Sequence, residues 1–196
     1  MSQDSWEVSD KVPKKGNALS RWFGRFIFRI FGWRWVGDMP DLDKYIVVVA
    51  PHTSNWDYIF VVGVIKGLGI HANFLVKSTF DVWPIRGLMR WTGVMPLDRS
   101  SPQGMVGQMT ERFGQDEGFI LGITPEGTRG KVREWKKGFL YIARDAKVPV
   151  CVGTLDYKKK EVRVYPPIEV GEDIEAALEQ VKALSANVHA KYQDLV

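Results

Sequence analysis

Residues 45–57 have the sequence YIVVVAPHTSNWD, in which a short apolar run is followed at once by a polar turn. The run 45–50 is rich in β-branched residues and carries no charge, which is typical of a strand buried on both faces of a sheet. Pro51 ends the run, and Ser54 or Asn55 can cap a helix that follows. This stretch therefore predicts a strand, a tight turn and a helix, the repeating unit of an α/β fold.

The rest of the chain alternates in the same way between short apolar runs and amphipathic segments. Further strands are predicted at 73–77, 93–97, 119–124, 149–155 and 161–165, and helices at 84–91, from 101, at 136–146 and at 172–193. Strands that alternate with helices predict an α/β fold with a largely parallel, mixed sheet flanked by helices. Because 196 residues are enough for one well-filled domain, we expect a single domain over residues 37–196.

Two segments of different character precede this domain. Residues 1–17 are polar and contain Pro13 and Gly16, so we expect a mobile arm. Residues 18–36 contain a predicted amphipathic helix over 18–32, whose apolar side chains share one face by their three-and-four spacing. These apolar residues are Leu19, Trp22, Phe23, Phe26, Ile27, Ile30 and Phe31, and Arg21, Arg25 and Arg29 fall on a neighbouring face.

The turn after the first strand holds a candidate catalytic pair, His52 and Asp57. In open α/β sheets, ligands bind at the carboxyl ends of the strands. A regular helix would separate residues five apart, but a turn at His52 followed by a helix containing Asp57 could bring them together. The carboxylate would then keep one ring nitrogen protonated and leave the other free to accept a proton. The alternative is a partly buried histidine that only satisfies helix-end groups.

Four sequence blocks resemble the lysophospholipid and glycerol-phosphate acyltransferase family, which includes the 1-acylglycerol-3-phosphate acyltransferases. His52 and Asp57, with four residues between them, resemble its HxxxxD motif I. GVMPLDR at 93–99 resembles motif II, ITPEGTR at 123–129 motif III, and VPV at 148–150 motif IV, in the family's order. The resemblance extends over most of the chain, from about residue 33 to residue 168.

The resemblance implies transfer of a fatty acyl group to the hydroxyl of a lysophospholipid such as 1-acylglycerol 3-phosphate, in phospholipid synthesis. It implies acyl-CoA or acyl carrier protein as co-substrate and no cofactor. It implies His52 as general base and Asp57 as its orienting partner, which suits a thioester because that bond is already reactive. We also expect backbone N–H groups at the helix start after His52 to face the developing oxyanion.

The later blocks supply the candidates for substrate binding. We assign Arg99 and Arg129 to the acceptor's phosphate, because a guanidinium can hold two phosphate oxygens at once. Each follows a short apolar strand, so both can lie at the same sheet edge as His52. The alternative is a pair of surface arginines neutralised by Asp98 or Glu126.

The remaining candidates for substrate binding are Glu126, Gly127, Thr128 and Lys77. Glu126 is expected either to order its loop or to contact the acceptor, and Gly127 to supply a turn that would be strained with any other residue. Lys77 matches a position at which the family often has a basic residue. The three histidines and the single cysteine lack metal-ligand spacing, so no metal site is expected.

The basic, aromatic N-terminal segment predicts a partner. Between Lys11 and Gly37 there are seven basic residues and no acidic one. On a bilayer, the apolar face of the helix would enter the acyl boundary and its arginines would meet anionic headgroups. The alternative is a helix packed on the sheet with solvated arginines. With a lipid substrate implied, we expect binding to a membrane surface with anionic lipids, and no nucleic acid.

Cysteine usage and hydropathy predict the compartment. The single cysteine, Cys151, excludes an internal disulfide and favours a reducing environment. The first ten residues carry acids, unlike a secretory signal, and no apolar run approaches the roughly 20 residues of a spanning helix. We therefore expect a cytoplasmic protein, peripheral on the cytoplasmic face of the membrane.

Two departures from the family pattern leave the acyl acceptor open. Gly130 stands where the family commonly has serine, and Met-Pro-Leu precedes Asp98. Glycerol 3-phosphate, another lysolipid or an amine-containing lipid are therefore alternatives. From a different class comes a non-catalytic membrane-binding or nucleic-acid-binding module. The intact pair of His52 and Asp57 argues against that module, which would not need it.

Overall fold

The computed structural model describes residues 6–77, 86–97, 103–115 and 117–196, which form a seven-stranded sheet flanked by helices. The strands are β1 (Arg34–Val36), β2 (Lys44–Val49), β3 (Ala72–Lys77), β4 (Val94–Leu97), β5 (Phe119–Ile123), β6 (Val150–Asp156) and β7 (Glu161–Val164). Their order is β1-β7-β6-β2-β5-β3-β4, and only the β6–β7 pair of this described sheet is antiparallel. The predicted α/β class with a largely parallel, mixed sheet is confirmed.

Helices cover both faces of the sheet. They are α1 (Ala18–Phe31), α2 (Asn55–Leu68), α3 (Arg86–Thr92), α4 (Gly104–Phe113), α5 (Gly138–Ala146) and α6 (Ile174–Ser185). Successive side chains of the central strand β2 point to opposite faces. Ile46 and Val48 therefore pack with α4, α5 and α6, whereas Tyr45 and Val49 pack with α1 and α2. Burying each such side chain stabilises the fold by about 1.5–3 kcal/mol, which explains why β2 lacks the alternation of a half-exposed strand.

Two predicted boundaries differ from the structure. The short strand β1 was not predicted, because its three residues follow a helix closely and are too few to show a period. It pairs in parallel with β7, so the boundary predicted at residue 36 falls inside the sheet. The last helix ends at Ser185 instead of residue 193, and a short 3-10 turn follows at Gln193–Leu195.

Residues 6–17, where the sequence predicts a mobile arm, are packed on the domain in the structure. Val12 is buried, and the ring of Trp6 packs edge-on against Phe28 with centroids 5.3 Å apart. The segment also pairs with the end of α2, since the Lys15 N–H donates to the Gly69 carbonyl at 2.9 Å. A few apolar side chains spaced along a polar stretch were enough to anchor it.

Helix α1 packs on α2 through glycines. A Cβ at Gly24 would lie 2.5 Å from the Gly63 carbonyl oxygen and 2.3 Å from the Gly67 nitrogen. Only glycine at residue 24 permits this close approach of the two backbones. Arg25 adds a hydrogen bond from its Nε to the Gly67 carbonyl at 3.0 Å, so one predicted surface arginine is part of the contact between the helices.

The apolar face predicted for α1 points away from the domain. Its exposed large side chains are Leu19, Trp22, Phe23, Phe26, Ile30 and Phe31, with exposed fractions between 39% and 71%. The helix therefore packs on the domain by one narrow face and leaves its broad apolar face uncovered. Among the helices in the described ranges, none has the length and apolar character needed to cross a bilayer.

Candidate active site

The loop after β2 is shaped by the start of α2. Ser54 is the N-cap of this helix, and its hydroxyl accepts the Trp56 N–H at 3.2 Å. Asp57 occupies the third helical position, and its Oδ2 accepts the Ser54 N–H at 2.9 Å, which completes a capping box. An acid at this position is also favoured by the positive end of the helix dipole. Local structure therefore holds Oδ2 of this carboxylate, independently of His52.

His52 and Asp57 are joined as expected from a turn followed by a helix. Nδ1 of His52 lies 3.0 Å from Oδ2 of Asp57, which also accepts the Thr53 N–H at 3.0 Å. Asp57 is 1% exposed, and the side chain of His52 is 18% exposed. A proton on Nδ1 facing the carboxylate leaves Nε2 as the acceptor nitrogen of the ring. The pair thus has the geometry of an oriented general base.

Tyr157 also contacts Asp57, and the sequence did not predict it. Its hydroxyl donates to Oδ1 of Asp57 at 2.6 Å, from a position 100 residues away in the chain. Tyr157 directly follows β6, which lies beside β2 and runs parallel to it. The strand order could have predicted this contact. The residues that follow two parallel neighbouring strands lie at the same edge of the sheet.

Glu126 lies beneath the His52 loop. Its Oε1 accepts the backbone N–H of His52 at 3.2 Å, and the residue is 9% exposed. Burial is the main cause that raises the pKa of Glu126 above its ordinary value. Among the described residues, Oε2 has no hydrogen-bond partner. Of the two roles expected for Glu126, ordering of the loop is supported by these contacts.

The start of α2 offers fewer free donors than expected. The N–H groups of Thr53 and Ser54 donate to Asp57, and that of Trp56 donates to the Ser54 hydroxyl. The expectation that the helix start faces an oxyanion is therefore wrong for these three groups. The physical reason is the capping box, which uses the same donors that an oxyanion would need.

His52 and Asp57 line a cavity of about 500 Å³ between α2 and the sheet. One part of its wall is polar and holds Asn55, Thr124 and Arg129 in addition to the pair. The rest is apolar, with side chains from α2, α3, β3, β4 and β5. These apolar residues include Ile59, Val61, Phe74, Leu75, Met89 and Val94. A cavity with one polar end and a long apolar wall suits a ligand of the same character.

Arg129 is the predicted phosphate-binding residue that lies in this cavity. Its Nη1 donates to Oδ1 of Asn55 at the start of α2, and the arginine is exposed. The alternative pairing with Glu126 is not observed, because Glu126 faces His52. Asn55 was not predicted as a site residue, although its position between His52 and Asp57 in the HxxxxD block could have suggested it.

Gly127 and Thr128 shape the loop that carries Arg129. Gly127 has φ +65°, and a Cβ there would lie 2.7 Å from Nζ of Lys136. Glycine therefore permits the predicted turn. The Thr128 hydroxyl accepts the Gly130 N–H at 3.4 Å, within the same loop.

Two predicted binding residues are not settled by the structure. Arg99 lies outside the described residues. For Lys77, the description covers the backbone at the end of β3 and does not extend to the side chain. Both assignments stay predictions.

Comparison with known proteins gives the family. The family model described as Acyltransferase matches residues 36–153, more than half of the chain. No curated protein matches by sequence. A solved structure with the same fold is the 1-acyl-sn-glycerophosphate (LPA) acyltransferase PlsC from Thermotoga maritima, at 21% identity and a TM-score of 0.62. The match covers 85% of this chain and 75% of that one. The family match confirms the resemblance of the sequence blocks, and this chain belongs to the acyltransferase family.

Proposed function

We propose that this acyltransferase moves a fatty acyl group from an acyl thioester to the hydroxyl of a lysophospholipid such as 1-acylglycerol 3-phosphate. The observation that carries the proposal is the oriented pair of His52 and Asp57 at the polar end of a largely apolar cavity. The pair supplies a base for a hydroxyl, and the apolar wall suits a hydrocarbon chain. The related fold of the LPA acyltransferase from Thermotoga maritima agrees with this choice of acceptor.

The proposed reaction is a direct transfer with one general base. Nε2 of His52 removes the proton of the acceptor hydroxyl as its oxygen attacks the thioester carbonyl carbon. The tetrahedral species then collapses with cleavage of the C–S bond, and the thiolate takes the proton from His52. Asp57 holds the ring in one orientation and stabilises its positive charge. Such a base contributes about 10²- to 10⁴-fold to the rate.

Arg129 is the proposed contact for the acceptor's phosphate. It is exposed, lines the cavity and contacts Asn55 at the start of α2, which lines the same cavity. A phosphate at this end would hold the adjacent glycerol hydroxyl near His52. We keep Arg99 as a second proposed contact on the strength of motif II.

The apolar wall is the proposed site of an acyl chain. It includes Ile59 on α2, Phe74 on β3 and Val94 on β4. These side chains offer no partner for a charged group, and burying each methylene there would contribute about 0.8 kcal/mol. Acyl-CoA and acyl carrier protein are both possible carriers, since either presents the same thioester.

We also propose that the protein attaches to anionic lipid at the cytoplasmic face of the membrane. The uncovered face of α1 continues onto α2, because the rings of Phe31 and Trp56 meet edge-on with centroids 5.5 Å apart. Trp56 and Ile59 are both exposed, and Ile59 also lines the cavity. A bilayer on this surface would thus lie beside the mouth of the cavity from which lipid must enter.

The direct test is an assay of the purified protein with a panel of acceptors. Thiol release from acyl-CoA is followed with lysophosphatidate, glycerol 3-phosphate, a neutral lysolipid and an amine-containing lipid, and products are identified by mass spectrometry. The proposal expects phosphatidate from lysophosphatidate as the fastest product. Preference for another acceptor would replace lysophosphatidate as the assigned substrate. If no acceptor is acylated, with acyl-CoA or with acyl carrier protein as the donor, the result would favour the non-catalytic membrane-binding module.

A further inference from the structure

We propose that Tyr157 is a positioning residue that fixes the Asp57 carboxylate and thereby sets the acid limb of the pH–rate profile. The role rests on the proposed function of His52 as general base. This tyrosine follows strand β6 and lies outside the HxxxxD block and the other three sequence blocks.

The contacts of Asp57 divide unequally between its two oxygens. Oδ2 accepts from the Thr53 and Ser54 N–H groups and faces His52, at 2.9–3.0 Å. Oδ1 accepts from the Tyr157 hydroxyl at 2.6 Å. Because Asp57 is 1% exposed, water has little access to replace a lost donor. Tyr157 therefore fixes the side of the carboxylate that faces away from the base.

Tyr157 is itself held on several sides. Its ring packs edge-on against Trp33, with centroids 4.8 Å apart, and against Phe60 at 6.2 Å. Its backbone N–H donates to the His189 carbonyl at 2.8 Å. Burial, followed by the hydrogen bond and charge of Asp57, raises the pKa of Tyr157, so the phenol remains a donor throughout the working range.

The hydrogen bond from Tyr157 draws negative charge toward Oδ1. Without it, more charge is directed toward His52, the proton is held more tightly on the ring, and the acid limb moves to higher pH. The other ionisable groups around the pair remain in place in such a variant. Among the described residues, these groups are Glu126 at the His52 N–H, Arg129 in the cavity, Lys191 over the Tyr157 ring, and Tyr192.

The experiment compares wild type with Tyr157→Phe, which keeps the ring and removes only the hydroxyl. We expect kcat to fall by about tenfold, the acceptor KM to stay within about twofold, and the acid limb of kcat/KM to move to higher pH. Tyr141→Phe, which removes an exposed hydroxyl on α5, is the matched control and should behave as wild type. An unshifted acid limb in Tyr157→Phe would overturn the proposal.

A second variant keeps the test independent of folding defects. Replacement of Tyr157 by 3-fluorotyrosine strengthens the O–H donor without removing it, so the acid limb should move to lower pH, opposite to Tyr157→Phe. Shifts in the same direction, or none, would overturn the proposal. His52→Ala is assayed in parallel: if it retains activity, the proposed base is wrong, whereas an inactive His52→Ala with an unshifted Tyr157→Phe refutes only the role of Tyr157.

Discussion

The backbone N–H of His52 donates to Oε1 of Glu126 at 3.2 Å, so a carboxylate from the ITPEGTR block supports the turn that carries the proposed base. The two residues are 74 apart in the chain and meet because β2 and β5 are parallel neighbours. This contact gives Glu126 a structural task that does not require it to touch substrate.

Glu126→Gln is expected to be more stable than wild type at neutral pH. Burial raises the pKa of Glu126 in the folded protein above its ordinary value of 4.5. A raised folded pKa contributes stability that is fully present below the unfolded pKa and is lost as pH rises through the folded pKa. Glutamine keeps an acceptor for His52 and has no charge to bury, so the gain at pH 8 should be about 1 kcal/mol.

Urea unfolding at pH 5 and pH 8 measures the free energy of unfolding of Glu126→Gln and of wild type. The difference between Glu126→Gln and wild type should grow with pH, whereas Glu126→Ala, which removes the acceptor, should be destabilised at both. A glutamine variant less stable than wild type at pH 8 would show that the charge is needed.

Arg129→Ala is expected to raise the KM for a phosphate-bearing acceptor by about ten- to a hundredfold, because a hydrogen bond to a charged group is lost. The KM for the acyl donor should change little. Lysine should restore binding only partly, since it lacks the guanidinium fork. Arg133→Ala, a nearby exposed arginine, is the control. An equal rise in KM for a phosphate-free lysolipid would contradict the assignment of Arg129 to the phosphate.

Gly122→Ala is expected to shift the donor preference toward shorter acyl chains. A Cβ at Gly122 would lie 2.3 Å from Cε1 of Phe74, and both residues line the cavity. The ring must therefore move, and the space for a chain shrinks. Activity with the longest good donor should fall by about tenfold or more, with less effect on short donors.

A series of acyl-CoA lengths measures the shift. Gly171→Ala, where a Cβ meets nothing within 4 Å, should keep the wild-type profile. Gly122→Ala with an unchanged order of preference would mean that the chain does not pass Phe74.

Replacement of Leu19, Trp22, Phe26 and Ile30 by serine is expected to weaken binding to anionic vesicles by about tenfold or more, because these exposed side chains would no longer enter the acyl boundary. Arg25 is left intact because it bonds to Gly67 across the contact with α2. Co-sedimentation with vesicles, compared with Tyr141→Ser as control, makes the measurement. Equal binding by the fourfold variant and wild type would refute membrane attachment through α1.

Much of the fold was predictable because local patterns and tertiary packing agree. The run at 45–50 is buried on both faces, and its β-branched residues already indicated this. Helix α1 shows the limit of such reasoning. Its apolar stripe predicted an apolar face of the helix. It did not predict that the narrow face with Gly24 would pack on α2, because that contact depends on glycines about 40 residues later in the chain.

The candidate site was predictable to the same extent. His52 and Asp57 are close in sequence, and their contact follows from a turn and a capped helix. Tyr157, 100 residues further along the chain, donates the hydrogen bond to the second oxygen of the Asp57 carboxylate. The sequence around Tyr157 shows no motif that would predict this contact. Such a residue can be found only when the strand order is known, since β6 then lies beside β2.

The most direct test of the proposed mechanism is the turnover of His52→Ala with acyl-CoA and lysophosphatidate, measured by thiol release and by mass spectrometry of the product. The account predicts a fall in kcat of about 10²- to 10⁴-fold with a folded protein, and a smaller fall for Asp57→Asn. Wild-type kcat in His52→Ala would contradict the assignment of His52 as the general base.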